Sequence, residues 1–311
     1  MSRLSLWMLV ACISTAVSAN ELAAEPELSA VQIVEKNVAA RGGLEAWRKI
    51  QTMVWLGHIE RTGAASLPYV LEQKRPNKTR FEIKVKNQVA ARIYDGTHGW
   101  KLHPASNGRP ELQPFTVEEL SFARDGLGID GALVDYQSKG IAVTLDGVDE
   151  VGGRKAYRLS IKLPSGASHQ VWIDAQTFLD VKYVRKLSNT QSSNTPPRNG
   201  QPRLALGRPG TVTVFYRNYQ TIEGLQIPFL IETGSDSAQN IARSTDKMVI
   251  DSILLNPPLD DQIFAKPRVP EGLNALAVDA GSARAFRPAQ PRLTELTGFN
   301  SRQVSGSTGR R

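Results

Sequence analysis

Cysteine is almost absent from this chain. Cys12 is the only one among 311 residues, and it lies within an apolar opening segment. A chain cleaved after that segment would hold no cysteine and could form no disulfide in an oxidising compartment. The fold must therefore be stabilised by its hydrophobic core alone.

Long apolar runs and catalytic motifs are also missing. No stretch reaches the roughly 20 apolar residues that a membrane-spanning helix needs. None of the four histidines forms an i, i+4 pair with another, no serine stands in a Gly-x-Ser-x-Gly turn, and no glycine-rich strand-to-helix loop is present. The sequence therefore predicts no metal site and no cofactor, and it offers no catalytic residue for an enzyme.

The opening segment has the pattern of a secretory signal peptide. Arg3 is followed by apolar residues from Leu4 to Ala16, and Val17-Ser18-Ala19 provides the small residues of a cleavage site. We therefore expect residues 1–19 to be removed and the mature protein to lie in the bacterial periplasm. An alternative is lipidation at Cys12, because Leu9-Val10-Ala11-Cys12 resembles a lipobox; retention as an uncleaved anchor is another.

The charge is modest and uneven. Lys and Arg number 38 against 30 Asp and Glu, a net charge of +8 that becomes +7 without Arg3. Part of the excess lies from Arg268 to Arg311, which reads as a basic, largely disordered tail. A nucleic-acid partner would require basic residues clustered on a folded face, so we expect none. An anionic membrane surface suits the tail better.

Two helical regions are predicted. Apolar residues recur at helical spacing from Leu28 to Ala40, Ser29 can cap the helix, and Gly42-Gly43 ends it before a short second helix from Leu44 to Lys49. Thr116 and Glu119 have the spacing of a capping box, which predicts a further helix extending to about Arg124.

Most of the remaining chain alternates with the period of a β-strand. In Thr79–Lys86 apolar and charged residues alternate strictly, which predicts a strand with one dry and one wet face. Asp95-Gly96 between two such runs predicts a hairpin. Similar runs from Ile50 to Leu255 bring the expected total to about eleven antiparallel strands. Residues 189–209 are rich in Ser, Asn, Pro and Gly and read as an exposed loop.

Several motifs resemble the periplasmic outer-membrane lipoprotein-sorting proteins of the LolA and LolB type. The resemblance covers residues 30–267, and each motif alone is weak. It is carried by four segments: Ala40-Arg41-Gly42-Gly43 with Trp47 and Ile50, Tyr94-Asp95-Gly96 with Gly99-Trp100, Tyr216-Arg217-Asn218-Tyr219 with Glu223 to Pro228, and Asp260-Asp261 with Phe264 and Lys266-Pro267.

This resemblance implies a mainly β (α+β) fold, a curved and incompletely closed antiparallel half-barrel wrapped round two or three helices. It also implies one domain over residues 28–267, with an apolar cavity that receives acyl chains. Three features depart from the family: the 189–209 segment, the basic tail, and the lack of a residue matching the arginine on which release from the carrier depends. Lipoprotein transport itself is therefore less well supported than an apolar cavity.

Apolar residues at alternate strand positions, and tryptophans suited to a cavity mouth, are the candidate ligand-binding side chains. Their alternative role is ordinary core packing. The candidates are Trp55, Phe81, Ile83, Val85, Trp100, Trp172, Tyr183, Val214, Tyr216 and Phe229.

The sequence therefore predicts a monomeric periplasmic carrier, not an enzyme, that binds the acyl chain of a lipoprotein or lipid for transport to, or maintenance of, the outer membrane. The main alternative is a periplasmic sensor or interaction module on the same fold, with an envelope protein as partner. A hydrolase acting on envelope material is the remaining reading, without a residue to name for it.

Overall fold

The computed structural model describes residues 28–61, 63–104, 110–125, 128–186, 211–236 and 246–268. The expected signal segment 1–19, the 189–209 loop and the tail beyond residue 268 lie outside the described residues. The described part therefore tests the fold of the central domain.

Thirteen strands and three α-helices form the described part. The helices are α1 (Ala30–Ala40), α2 (Leu44–Lys49) and α3 (Val117–Arg124), and Asp261–Phe264 forms one 3-10 turn. The strands β1 to β13, in chain order, are Thr52–Glu60, Leu67–Lys74, Lys78–Val85, Gln88–Tyr94, Gly99–His103, Glu111–Pro114, Ala142–Val151, Arg154–Lys162, Ser168–Asp174, Asp180–Lys186, Thr211–Ile222, Leu225–Asp236 and Asp246–Leu255.

All thirteen strands belong to one open antiparallel sheet. Its spatial order is β6-β5-β4-β3-β2-β1-β13-β12-β11-β10-β9-β8-β7. Each half of the chain is a meander, and the last strand pairs with the first. The predicted half-barrel wrapped round helices is confirmed, with two strands more than expected. One of the additions is β6, a four-residue edge strand that the sequence analysis did not identify.

The helix ends match the local chemistry that predicted them. Ser29 and Gln32 form a capping box at α1, and Thr116 and Glu119 form one at α3. After α1, Gly42 has φ 111°, and a Cβ there would lie 2.6 Å from the carbonyl oxygen of Gly224. Glycine is therefore required where α1 meets the β11–β12 hairpin.

The core consists of two adjoining clusters on the inner face of the sheet. In one, Ile33 and Val34 of α1 pack on Leu159, Ile161 and Ile173 of β8 and β9. In the other, Trp47 of α2 packs on apolar residues of β1, β12 and β13, such as Met53, Ile227 and Ile250. The helices therefore fill one part of the concavity.

The connection between the two halves of the sheet also passes through this core. Residues 128–140 consist of consecutive turns. Leu133 belongs to the first core cluster, and Ile129 and Val134 belong to the second. Its charged residue Asp130 is buried and carries ion pairs to Arg75 and Lys139. The local sequence pattern of this segment did not indicate its place in the core.

Candidate functional site

The candidate site is the part of the inner face that the helices leave uncovered. Strand register decides which side chains point there, because successive residues of a strand alternate between the two faces. Met53 and Trp55 pack with the α2 cluster, so every residue in register with them faces inward. This rule assigns each predicted cavity residue to a face.

Four of the predicted residues line the β1–β3 arm of the sheet. Trp55 pairs with Leu71, which pairs with Phe81, so the three share the inner face. Ile83 and Val85 follow Phe81 at alternate positions of β3. All five side chains are half-buried. Arg92 of β4, which lies opposite Phe81, borders them on the same face. Trp55, Phe81, Ile83 and Val85 therefore form one partly exposed apolar surface together with Leu71, which the sequence analysis did not select.

Three further candidates line the opposite arm. Tyr183 of β10 pairs with Val214 of β11, and Tyr216 lies two residues further along β11 on the same face. Tyr216 pairs in turn with Ile231 of β12. These side chains are also half-buried. Phe229 faces inward too, but it is 6 % exposed and packs in the α2 cluster, so it belongs to the core.

Trp100 and Trp172 lie on the outer face. Trp100 lies opposite Ile93, and Ile93 lies opposite Arg80 of β3. Arg80 directly precedes the inward-facing Phe81, so Arg80, Ile93 and Trp100 all point to the outer face. Trp172 pairs with Lys182, whose ammonium lies 4.3 Å from the centre of its ring, and its indole nitrogen donates to Asp149 at 2.8 Å. The structure therefore does not bring these two tryptophans together with the other eight candidates.

Helix α3 spans the mouth between the two arms. At its start, Glu119 accepts hydrogen bonds from Arg92 of β4 at 3.0 Å and is paired with Lys101 of β5 at 2.9 Å. At its end, Phe122 stacks under the guanidinium of Arg185 on β10, 4.0 Å away. No residue of α3 is fully buried. The helix is therefore attached to both arms mainly by polar and cation–π contacts.

The anchor of α3 predicts a dependence on pH. Burial alone would raise the pKa of Glu119, but hydrogen bonds from the Thr116 amide, Lys101 and Arg92 outweigh it and hold the pKa at about 2 instead of 4.5. A lowered carboxyl pKa stabilises the fold above its unfolded value and loses that contribution as pH falls from about 4.5 to 2. We expect Glu119→Gln, which keeps the capping box, to lower the urea midpoint clearly at pH 6 and much less at pH 2.5.

Urea unfolding of wild type and Glu119→Gln at pH 6 and at pH 2.5 measures this difference. An equal difference at pH 6 and pH 2.5 would mean that the charge of Glu119 does not hold the helix.

A polar group lies at the helix-filled end of the interior. Arg41, just after α1, is 3.6 Å from the Asp180 carboxylate on β10, and its guanidinium lies 4.6 Å from the centre of the Trp47 ring. Burial raises the pKa of Asp180, although Arg41 opposes the change. Burial likewise raises the pKa of Tyr216 and of Tyr219, whose hydroxyl donates to the carbonyl of Asp180 at 2.8 Å. This end is therefore filled and hydrogen-bonded.

His169 and Tyr183 form a second polar pair on the inner face. The Tyr183 hydroxyl and His169 Nδ1 are 2.7 Å apart, and the two rings stack. Burial, followed by the charge of Arg185, lowers the pKa of His169. The imidazole is therefore kept neutral near pH 7, in keeping with an apolar surface around it.

The described residues show no metal site and no membrane-spanning helix, but they do form one open cleft. No three His, Cys, Asp or Glu side chains there are grouped so that they could hold a metal ion. Among the same residues no helix is long and apolar enough to cross a membrane. An open cleft of about 750 Å³ lies where α2 and the chain after β13 meet, lined by Lys49, Lys74 and residues 256–260 among others. None of the ten candidates lines that cleft.

Together, the sheet and its inner surface define a class of protein: an open antiparallel half-barrel with helices in its concavity and a partly exposed apolar lining. No protein-family model matches the chain, and no curated protein does. Solved structures do resemble it. A LolA superfamily protein of Nitrosomonas europaea is 14 % identical with a TM-score of 0.49, covering 77 % of this chain and 99 % of its own.

Two other solved structures resemble the chain to a similar degree. An outer-membrane lipoprotein-sorting protein domain of Vibrio parahaemolyticus is 12 % identical, with a TM-score of 0.46 over 76 % of this chain and 96 % of its own. A DUF1329 family protein of Desulfovibrio piger is 14 % identical, with a TM-score of 0.46 over 76 % and 97 %. The half-barrel fold expected from the sequence is established by the thirteen-stranded open sheet itself.

Proposed function

We propose that this protein is a periplasmic carrier that holds the acyl chains of a lipoprotein or lipid between the two arms of its sheet, for transport to or maintenance of the outer membrane. The observation that carries the proposal is the half-buried apolar lining of both arms. Trp55, Phe81 and Ile83 face the interior from one arm, and Val214 and Tyr216 face it from the other.

The lining suits a flexible hydrocarbon chain. Half-buried apolar side chains on a concave surface leave area that a ligand can remove from water. Each methylene transferred from water contributes about 0.8 kcal/mol, so a chain of a dozen carbons gains enough for tight binding before the cost of ordering it. No charged group or metal is needed for this, which agrees with a carrier better than with an enzyme.

The domain boundaries and location belong to the same proposal. We place the binding domain at residues 28–267, preceded by a signal peptide of residues 1–19 and followed by a basic tail of residues 268–311 that attaches to an anionic membrane surface. The 189–209 segment, between β10 and β11, is proposed as an exposed loop. The protein acts as a monomer in the periplasm.

One observation favours the alternative, a sensor or interaction module that binds an envelope protein. Helix α3 exposes two large apolar side chains, Val117 at 87 % and Phe122 at 48 %. Phe122, however, already stacks with Arg185 across the mouth. Val117 and Phe122 are fewer than the apolar side chains that line the two arms, so the carrier is the better-supported function.

Native mass spectrometry of the mature protein, purified from a Gram-negative periplasm and followed by lipid extraction, tests the proposal. We expect a phospholipid or an acylated peptide in near-stoichiometric amount. A protein that is empty, and that also fails to take up a fluorescent fatty acid, would contradict the carrier and favour the interaction module.

A further inference from the structure

Two buried polar groups on the β1–β3 arm of the apolar lining have no hydrogen-bond partner. Within the described part of the chain, Trp55 Nε1 and the Tyr69 hydroxyl are both enclosed and unpartnered. Tyr69 is 2 % exposed, so an acceptor from outside the protein reaches its hydroxyl only when neighbouring side chains of the lining move aside. Both groups can donate a hydrogen bond, since an indole nitrogen is only a donor and a phenol is a donor or an acceptor.

The two groups lie in one patch of the inner face. Trp55 of β1 pairs with Leu71 of β2, and Gly57 pairs with Tyr69, so Trp55 and Tyr69 are diagonal neighbours with their side chains on the same side. The Tyr69 ring centroid is 5.6 Å from that of Phe81. A Cβ on Gly57 would lie 3.0 Å from the Tyr69 ring, so the lack of a side chain at Gly57 gives the ring its place.

Several other buried aromatic side chains satisfy their polar groups within the protein. Trp47 and Trp172 donate at 3.0 and 2.8 Å to Arg41 and Asp149, and the hydroxyls of Tyr94 and Tyr219 each donate at 2.8 Å to a main-chain carbonyl. A buried donor without a partner is destabilising, and native proteins hold few of them. Two unpartnered donors side by side on the proposed ligand surface therefore require an acceptor from elsewhere.

We propose that Trp55 and Tyr69 form a polar subsite that binds the carbonyl oxygen at the head of an acyl chain, while the chain itself lies along Phe81, Ile83 and Val85. This inference rests on the proposed carrier function and adds the position and chemistry of the ligand's polar end. A carbonyl oxygen has two lone pairs and can accept from both donors at once. An ester, an amide or a free fatty acid all provide this oxygen.

The Tyr69 hydroxyl is suited to donate at any physiological pH. Burial, followed by the negative charge of Asp251, raises the pKa of Tyr69 above its ordinary value, so the phenol keeps its proton. The strand neighbours of Tyr69 are Gly57 and Ile83, and its ring contacts Phe81, so these neighbours offer no competing side-chain acceptor. A hydrogen bond there is not weakened by competing water.

Tyr69→Phe in the full mature chain tests the subsite. The probes are a pyrene-labelled dodecanoic acid, its methyl ester, and a pyrene-labelled dodecane that has the same chain but no oxygen. One neutral hydrogen bond is worth about 1 kcal/mol, so we expect the affinity for the ester to fall about three- to tenfold while that for the hydrocarbon stays unchanged. The acid arm tells whether a free carboxyl serves as well as an ester.

Tyr94→Phe is the matched control, because the Tyr94 hydroxyl is satisfied by the carbonyl of Gly96. It should bind all three probes like wild type. Without ligand, Tyr69→Phe should be at least as stable as wild type, since it removes an unpartnered hydroxyl, whereas Tyr94→Phe should be less stable. Trp55→Phe provides a second variant with the same selective loss expected for the ester.

The outcomes separate the subsite from the carrier function. If wild type binds the hydrocarbon and the ester but Tyr69→Phe and Trp55→Phe weaken both equally, or neither, the polar subsite is wrong and the carrier stands. If wild type binds none of the three probes, the carrier function fails and the subsite with it.

Discussion

Asp130→Asn should lower the free energy of unfolding by about 3–5 kcal/mol, because removing one member of a buried ion pair leaves the remaining charges uncompensated. The side chain of Asp130 is 3 % exposed. Its two carboxylate oxygens lie 2.8 Å from Arg75 and 2.6 Å from Lys139. Asparagine keeps the shape of the side chain and removes only the charge.

The loss is expected to be large because this cluster joins three parts of the fold. Arg75, at the end of β2, also donates to the carbonyls of Ile50 and Trp47 at 2.7 and 3.1 Å. Lys139 donates to the carbonyls of Gly131 and Val134 at 2.7 Å each. Burial lowers the pKa of Lys139 while Asp130 counteracts that change. Without Asp130, the Lys139 ammonium would remain in a site where burial disfavours its charge.

Asp135→Asn is the control for this prediction. Asp135 belongs to the same connection and pairs with Arg48 at 3.0 Å, but its side chain is 26 % exposed, against 3 % for Asp130. Asp135 has φ 55°, a conformation that asparagine also accepts, so the substitution changes only the charge. We expect a much smaller loss in urea unfolding. Similar losses for the two variants would mean that the Asp130 cluster is not the link between the halves of the sheet.

The sequence predicted those elements whose signals are local. The Ser29 N-cap, the Thr116–Glu119 capping box and the Asp95-Gly96 hairpin each depend on residues within a few positions of one another. The alternation of β3 likewise predicted that Phe81, Ile83 and Val85 share a face. Short-range chemistry and period two were enough for the fold class and for one arm of the lining.

The face of the sheet on which each tryptophan lies could not be predicted, because it depends on the register between strands that are distant in the sequence. Trp100 and Trp172 were selected because indole suits a cavity rim, yet register places both on the outer face. Leu71 was not selected, although it lies between Trp55 and Phe81 on the lining. In each case the face depends on which residue of a neighbouring strand is opposite, and a shift by one residue reverses it.

The connection Gly128–Gly140 could not be predicted for a different reason. It has neither helical nor strand periodicity, so its apolar residues gave no signal. Its position depends on Asp130 meeting Arg75, 55 positions away in the sequence. The Trp55 and Tyr69 donors are a similar case, because an unpartnered group can be recognised only when all its neighbours are known.

A charged side chain placed on the lining should weaken acyl binding strongly. The same side chain placed on the outer face should leave binding unchanged. Val214 of β11 faces the interior and pairs with Tyr183 of β10. The next residue of β10, Val184, pairs with Thr213 and points to the outer face. Both valines are half-buried, so Val214→Glu and Val184→Glu place the same side chain at the same level of the sheet on its two faces.

We expect Val214→Glu to weaken binding of a fluorescent fatty acid at least about tenfold, because bound hydrocarbon would strip water from the carboxylate at a cost above the 1.4 kcal/mol that a tenfold change represents. Val184→Glu should bind like wild type, and circular dichroism of both variants should show the wild-type sheet. In the empty protein the Val214→Glu carboxylate can reach solvent through the half-exposed lining, so the fold is retained. Equal binding by the two variants would place the ligand elsewhere than between the arms, whereas a loss confined to Val184→Glu would move the site to the outer face.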